Sequence, residues 1–390
     1  MRPDADLLIL GGGCAGLSLG MRLADQVPAA GRTVILEART EYANDRTWCF
    51  WRLAPHRFER LVAHSWPAVA IRTRQRAVTV DCRLTPYQML EAMPFYAEAQ
   101  GRIDRSNHVD LVLGASVRDV PRRVEGMWQV ETDAGPLTAR HVVDTRPPRP
   151  PRTSDAVLWQ SFFGQEIECA APVFDPTTVG LMNFAEARTD DVLFHYVLPL
   201  SPCRALIETT VFGPRPLAAA DLAAVQAAAV ERLGRGATFT VLRAESGVLP
   251  MGMTTRFPVP GPGYSRAGLM SGAARASTGY AFQRIQRWAD ASAASIGQGG
   301  PPLGHQPDPA LQRGMDRLFL RVVRDHPDRA PDLFVRMFGN ADPARVIRFL
   351  SDQGTVADCA VIGSTLPLQL FLGEMLKGMV EVPGALREAA

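Results

Sequence analysis

Two glutamates interrupt runs that otherwise suit apolar or turn structure: Glu208 in CRALIETTVF and Glu245 in RAESGVLPMG. A carboxyl held in low dielectric favours its acid form and can donate a proton near neutral pH. Strand alternation puts Glu208 on the same face as Leu206 and Thr210, although a solvent-facing strand carboxylate fits the same periodicity. Glu245 precedes Gly247 and Pro250 and is expected in a loop, where it reads either as a second acid of a site or as a surface turn residue. In NDRTWCFW, Asp45 and Arg46 form an ion-pair set beside the faces of Trp48 and Trp51, which can stabilise developing positive charge or simply fill a core. A different chemistry is written near the start, where Gly11, Gly13 and Gly16 form a G-x-G-x-x-G run that encloses Cys14 and Ala15, with Glu37 further along the chain. Gly11 permits a tight turn, Gly13 close approach of backbone to a pyrophosphate, and Gly16 close packing of helix on strand, while Glu37 can accept from ribose hydroxyls. Turn glycines of an unrelated α/β domain are the alternative.

The elements needed to position these residues are present in order. DLLIL reads as a strand, Cys14 to Val27 as a helix and RTVILE as the next strand, so the helix N-terminus offers unpaired N–H groups to a diphosphate. A dinucleotide must also be held at a second point. Gly272, with the Ser277-Thr278-Gly279 turn ahead of a helix from about Tyr280, supplies a Gly-rich zone with backbone donors, or an ordinary lead-in to that helix. Helices are expected near 54–63 and 84–99, and short antiparallel strands between Val109 and Val143. RPPRPPR after VVDT begins a linker. A second, mostly antiparallel sheet is expected from about Val157 to Thr210, with a helix at 220–234 behind it. Leu311, Met315, Leu318, Phe319, Val322 and Val323 recur at helical spacing, with Arg313, Arg317, Arg321 and Arg324 on the other sides; such a helix covers a core or lies on anionic lipid.

Composition removes several classes. With 42 basic and 40 acidic residues the net charge is +2, which gives no general attraction for nucleic acid. The cysteines at 14, 49, 82, 169, 203 and 359 form no C-x-x-C pair, no His/Asp/Glu cluster has metal-ligand spacing, and no metal is expected. The absence of a secretion-type leader pattern points to reduced thiols in the cytoplasm. No apolar stretch is long enough to span a bilayer, which leaves surface binding open. A chain of 390 residues divides naturally: 1–150 as the first part of a nucleotide-binding domain with inserted helices and small strands, 151–258 as an antiparallel-sheet substrate region, 259–295 as a return to the nucleotide domain, and 296–390 as a C-terminal helical cap and membrane-contact region.

Several segments, in this order, resemble the bacterial lycopene beta-cyclase family: DLLILGGGCAGLSLG, NDRTWCFW, VVDTR, FDPTTVGLMNF, FHYVLPLS, ALIETT, ESGVLPM and STGYAFQRI. The resemblance runs over nearly the whole chain; its first segment and VVDTR are shared with many flavoproteins, and the others are much more specific. It implies an α/β fold of the aromatic-hydroxylase flavoprotein type, with a Rossmann-type FAD-binding domain, an antiparallel-sheet substrate domain and C-terminal helices. It further implies FAD as cofactor, NADPH or NADH as flavin reductant, and lycopene and monocyclic carotenoids as substrates, cyclised without net redox change through gamma-carotene to beta-carotene. Glu208 matches the family's essential acid and Glu245 the acid of its Glu-x-Gly-x-Leu-Pro-Met motif. Gly11, Gly13, Cys14, Ala15, Gly16, Glu37, Arg46, Gly272, Ser277, Thr278 and Gly279 are the cofactor-binding set that goes with this reading. Thr209 and Asn183 stand where the family commonly carries acids. A long hydrocarbon substrate implies peripheral or monotopic attachment to the cytoplasmic side of a membrane, and an apolar tunnel between the second sheet and the C-terminal helices. An FAD-dependent isoprenoid reductase or hydroxylase, or a carotenoid carrier on a flavin fold, are the competing readings.

Overall fold

The glycine-rich turn joins a mostly apolar strand to a helix because nothing larger than glycine fits where the two touch. A Cβ on Gly16 would lie 2.0 Å from the Gly11 carbonyl oxygen and 3.2 Å from Ile9 Cγ2. The computed structural model describes residues 3–26, 31–147, 156–184, 189–253 and 259–380; the expected RPPRPPR linker falls largely outside them. In chain order the elements are β1 (Ala5–Leu10), α1 (Cys14–Ala24), β2 (Thr33–Glu37), β3 (Thr47–Trp51), β4 (Val62–Trp66), β5 (Ala68–Arg72), β6 (Ala77–Asp81), β7 (Tyr87–Glu91), α2 (Ala92–Asp104), β8 (Val109–Leu113), β9 (Arg122–Val124), β10 (Met127–Thr132) and β11 (Gly135–Asp144). There follow β12 (Leu158–Cys169), β13 (Thr178–Asn183), β14 (Val192–Pro199), β15 (Arg204–Gly213), α3 (Ala219–Leu233), β16 (Phe239–Met251), β17 (Tyr264–Arg266), α4 (Phe282–Gly297), α5 (Ala310–Asp325), α6 (Ala330–Asn340), α7 (Pro343–Leu350), α8 (Val356–Thr365) and α9 (Leu368–Val380).

Three sheets organise these strands. The first runs β8-β2-β1-β11-β10-β9, with β17 also paired to β11; its β8, β2, β1, β11 and β17 are parallel. The second runs β16-β12-β15-β14-β13-β5-β6 and is antiparallel except where β13 meets β5. β3-β7-β4 form a small third sheet. The overall arrangement is mixed α/β, with several sheets and a C-terminal run of helices.

Pairing overrode local pattern in three places. The expected helix at 54–63 is instead a short turn of helix at Glu59–Leu61 followed by β4, which docks on β7. The first part of the expected 84–99 helix is β7 itself, where Tyr87, Met89 and Leu90 are all fully buried, so burial on both faces erased the alternation that marks a strand. Val109–Leu113 pairs in parallel with β2 rather than joining an antiparallel set. The helix at 220–234 appears as α3, where Asp221 accepts from the Ala218 N–H at 2.7 Å.

One large core is shared by the second sheet, the third sheet and the C-terminal helices, and includes Trp66, Leu206, Val323, Phe338 and Ile347. Of the expected stripe on α5, Val322 and Val323 lie in this core and Leu318 and Phe319 pack against it, while Leu311 is exposed. A buried ion pair pins that helix to the segment before α4. Arg275 donates from Nε (3.1 Å) and Nη2 (3.0 Å) to the Asp316 carboxylate, and its guanidinium lies 4.4 Å from the centre of the Phe349 ring. Both side chains are almost wholly buried, so Arg275→Met leaves Asp316 an uncompensated buried charge; stability in urea unfolding is expected to fall by about 3–5 kcal/mol. An unchanged midpoint would show that the pair contributes nothing net.

Among the described residues no single helix is long and apolar enough to cross a membrane, but the pair 356–365 and 368–377, bent by 105°, passes that test of length and composition together.

Candidate functional site

The N-terminal end of α1 has no side-chain cap. Gly13 precedes the helix, and the first N–H groups of α1 are left for another partner. A Cβ on Gly13 would meet nothing within 4 Å, so the open space beside this turn belongs to whatever binds there. Gly11 has φ +98 and leads into the turn; Ala15 and Gly16 are buried beneath it. Burial raises the Cys14 thiol to about 12 and keeps it neutral. Glu37 occupies a different position from a free ribose acceptor. Its Oε2 takes the Gly12 N–H (2.7 Å) and Arg39 Nη2 (3.2 Å), while Oε1 takes the Arg39 N–H (2.9 Å) and Nε (3.1 Å). Burial opposes its charge, yet these donors hold the carboxyl below the usual range. Glu37 thus ties the glycine turn to Arg39, and it is Arg39, with Arg46, that reaches the cavity wall.

From this turn a cavity of about 720 Å³ runs between the first sheet's helix end, the second sheet and the C-terminal helices. Its lining includes Gly13, Cys14, Arg39 and Arg46 around the glycine turn, Ser277, Thr278 and Gly279 before α4, and Phe334, Met337 and Phe338 of α6 with Leu350 of α7. The apolar space expected between the second sheet and the C-terminal helices is therefore present. Gly272 is apart from it, in a left-handed turn (φ +103) against His305. The lining combines charged groups, Arg39 and Arg46 among them, with hydrocarbon side chains such as Leu181, Phe194 and Phe334, which suits both a charged ligand and a hydrocarbon one.

One face of the second sheet carries both glutamates. Gly164 on β12 is in register with Glu208 on β15 and with Glu245 on β16, and Glu208 is in register with Tyr196 on β14. Cross-strand neighbours share a face, so the row reads Glu245, Gly164, Glu208, Tyr196. The residue between the two acids in this row is a glycine, which puts no side chain between them. Glu208 is part-exposed only in the sense that it lines the cavity, and it lies deep in the protein. Burial, and then the charge of Glu245, push its carboxyl up to about 8 against a single hydrogen bond donated by Thr210 (2.8 Å). Glu245 is not in a loop but inside β16, because that strand pairs with β12 for its whole length. Arg243 Nη1 (2.6 Å) and Thr47 Oγ1 (2.7 Å) both donate to its Oε2, and Arg243 in turn binds the fully buried Glu166. One acid is thus ion-paired and its neighbour is held protonated.

Thr209 faces the other way. It donates to Gln226 Oε1 of α3 at 2.7 Å and lies 3.1 Å from His195 Nδ1, a ring that burial keeps neutral by lowering it to about 4. Asn183 sits at a register shift in β13, over Gly180, and does not line the cavity. Neither position adds an acid to the cavity. Of the aromatic pair in NDRTWCFW, Trp48 lines the cavity, while Trp51 is packed on Tyr87. Sequence reading missed Thr47, Arg243, Gly164, Tyr87 and Tyr196, which come from five strands distant in the chain.

Comparison with known proteins decides the family. The family model described as lycopene cyclase protein matches residues 6–373. The chain belongs to the lycopene cyclase family. It is 26% identical over 292 residues to the lycopene beta-cyclase of Pantoea ananas, covering 72% of each chain. It is 29% identical over 268 residues to that of Paracoccus sp. (strain N81106 / MBIC 01143), covering 63% of this chain and 66% of the relative. Activity of this general kind follows from the family. Among solved structures, the fold is similar to p-nitrophenol 4-monooxygenase PnpA from Pseudomonas putida DLL-E4 (TM-score 0.58, 14% identity, 97% of this chain and 98% of that one). It is also similar to the flavin-dependent monooxygenase PieE in complex with FAD and substrate (TM-score 0.55, 13% identity, 96% and 72%). The fold thus resembles those of FAD-binding flavoproteins.

Proposed function

We propose that this protein cyclises the linear ends of lycopene to beta-ionone rings by proton-initiated carbocation chemistry, passing through the monocyclic gamma-carotene to beta-carotene. The observation that carries this reading is a neutral, buried Glu208 beside an ion-paired Glu245 on the wall of a largely apolar cavity. Glu208 transfers its proton to C2 of the terminal double bond, leaving a tertiary cation at C1. The C5–C6 double bond supplies the electron pair for the C1–C6 bond, which closes the ring and moves the cation to C5, and loss of the C6 proton returns its bonding pair as the ring's C5–C6 double bond. C2 and C6 are each one bond from C1 once the ring closes, so the carboxylate left on Glu208 is placed to accept the departing proton, and no atom is gained or lost. Glu245, fixed by Arg243 and Thr47, provides negative potential facing the cation across Gly164.

The residues present fit FAD: an open Gly13 at an uncapped helix end, Arg39 and Arg46 for the phosphates, and the Ser277-Thr278-Gly279 turn further along the same cavity, with Glu37 holding the glycine turn in place and Gly272 shaping the approach to that second segment. Reduced by NADPH or NADH, the flavin supplies negative charge near the cation without net redox change. In this reading 1–150 and 259–295 hold the cofactor on a Rossmann-type unit, 151–258 binds the carotenoid, and 296–390 caps the cavity. Val356 on α8 with Leu368, Leu372, Met375 and Leu376 on α9 are exposed apolar residues suited to peripheral contact with the cytoplasmic face of a bilayer.

The test is anaerobic conversion of lycopene in lipid vesicles with chemically reduced FAD and no nicotinamide. Repeated formation of an isomeric product is expected. Turnover requires protonated Glu208, so it should hold below about pH 8 and fall by about tenfold per pH unit above it. Stoichiometric consumption of nicotinamide with a change in product mass would move the assignment to an isoprenoid reductase or hydroxylase.

A further inference from the structure

Three phenols from three different elements meet at their hydroxyls on the cavity wall. Tyr87 of β7 and Tyr196 of β14 are 2.7 Å apart at oxygen, Tyr87 and Tyr280 3.3 Å, and Tyr196 and Tyr280 3.4 Å. All three rings line the cavity, and burial raises each phenol, so all remain neutral. Tyr196 is the register partner of Glu208. Trp51 packs on Tyr87 (4.8 Å between ring centres) and on Tyr280 (5.8 Å), which fixes the group from behind. Around it the wall is hydrocarbon: Leu181, Phe194, Leu198, Leu206 and Phe212.

Three hydroxyls are out of place in such a wall unless they answer one another. A lone buried hydroxyl recruits water, and a buried water needs about two to four polar partners. Here each O–H can donate to another of the three, which leaves no donor open to hold a water. Water matters at this place because a tertiary cation formed beside Glu208 is captured by any nucleophile in reach.

We propose that Tyr87, Tyr196 and Tyr280 are specificity-determining residues that keep the reacting end of the cavity dry, so that the cation closes to a ring instead of becoming an alcohol. This rests on the cyclase reading above. The competing step balances without an oxidant or reductant. A water lone pair forms a C1–O bond, one water proton passes to the Glu208 carboxylate, and the product is the open-chain tertiary alcohol, heavier than the substrate by one water.

The experiment follows product mass for the FAD-loaded protein and for its Tyr196→Phe and Tyr87→Phe variants in the same vesicle assay, run in ordinary and in ¹⁸O-labelled water. Each substitution leaves the two remaining hydroxyls paired with each other, at 3.3 or 3.4 Å, with one donor unpartnered beside a gap the size of one oxygen. The hydrated fraction is expected to rise by about tenfold or more over wild type, with the label in the alcohol. Variants that turn over lycopene with no more hydrate than wild type overturn the proposal. So do variants that retain flavin and lose all turnover, which would assign the hydroxyls to proton delivery. Should either variant fail to accumulate, Tyr280→Phe decides by the same readout. A wild-type protein that forms no ring at all would instead remove the cyclase reading, so the two failures are distinct.

Discussion

Glu208→Gln is expected to lower turnover of lycopene by about 10³-fold while FAD and carotenoid binding persist, since positioned general acids contribute roughly 10²–10⁴. Glutamine matches the shape of the carboxyl and can still accept from Thr210, so neither the β15 register nor the cavity wall changes. What it lacks is an acidic proton. An amide N–H does not protonate an alkene, and no other group in the row replaces it: Glu245 is ion-paired with Arg243, and Tyr196 is held by two other phenols. Single-turnover conversion with flavin fluorescence as the control for binding measures the effect. Retention of more than about a tenth of wild-type activity would be incompatible with Glu208 as the donor. The same logic gives Glu245 a different signature, since its charge raises Glu208 and its loss removes that influence while leaving a protonated donor in place.

How much of this was legible before the structure depends on whether a residue's role is local. Gly11 to Gly16 and the strands around them were readable because the tight turn, the open approach and the close helix contact all fall within six positions and each needs glycine for its own reason. The face of Glu208 was likewise readable, since alternation is a property of one strand, and it also places Thr209 on the opposite side, where it meets α3. Partners were not readable. Gly164, Glu208 and Glu245 become neighbours only through the β12-β15 and β12-β16 pairing, and no periodicity within β16 reports that Glu245 belongs to a strand. The tyrosines lie on β7, on β14 and before α4, and β7 had itself read as helix because it is buried on both faces. Glu37 shows a further limit: the sequence marks the position, but not that Arg39 and Gly12 fill the carboxylate's acceptor positions.

Substitutions at the two glycines that flank Cys14 and Ala15 should separate fold from ligand. Gly16→Ala places a methyl 2.0 Å from the Gly11 oxygen, a backbone atom that cannot turn aside, so α1 must move off β1. Overpacking of this kind costs about 1–3 kcal/mol, and because the N-terminal N–H groups of α1 move with the helix, FAD affinity is expected to fall by about 100-fold in a titration followed by flavin fluorescence. Thermal unfolding of the flavin-free protein should register the same strain. Gly13→Ala meets nothing within 4 Å, so the flavin-free protein should unfold as wild type does, while the methyl occupies space that the diphosphate requires. Loss of stability and affinity together at Gly16, but of affinity alone at Gly13, is the pattern that a diphosphate at this helix end demands. A Gly13→Ala protein that binds FAD as tightly as wild type would place the cofactor elsewhere, and with it the source of negative charge that the carbocation chemistry at Glu208 calls for.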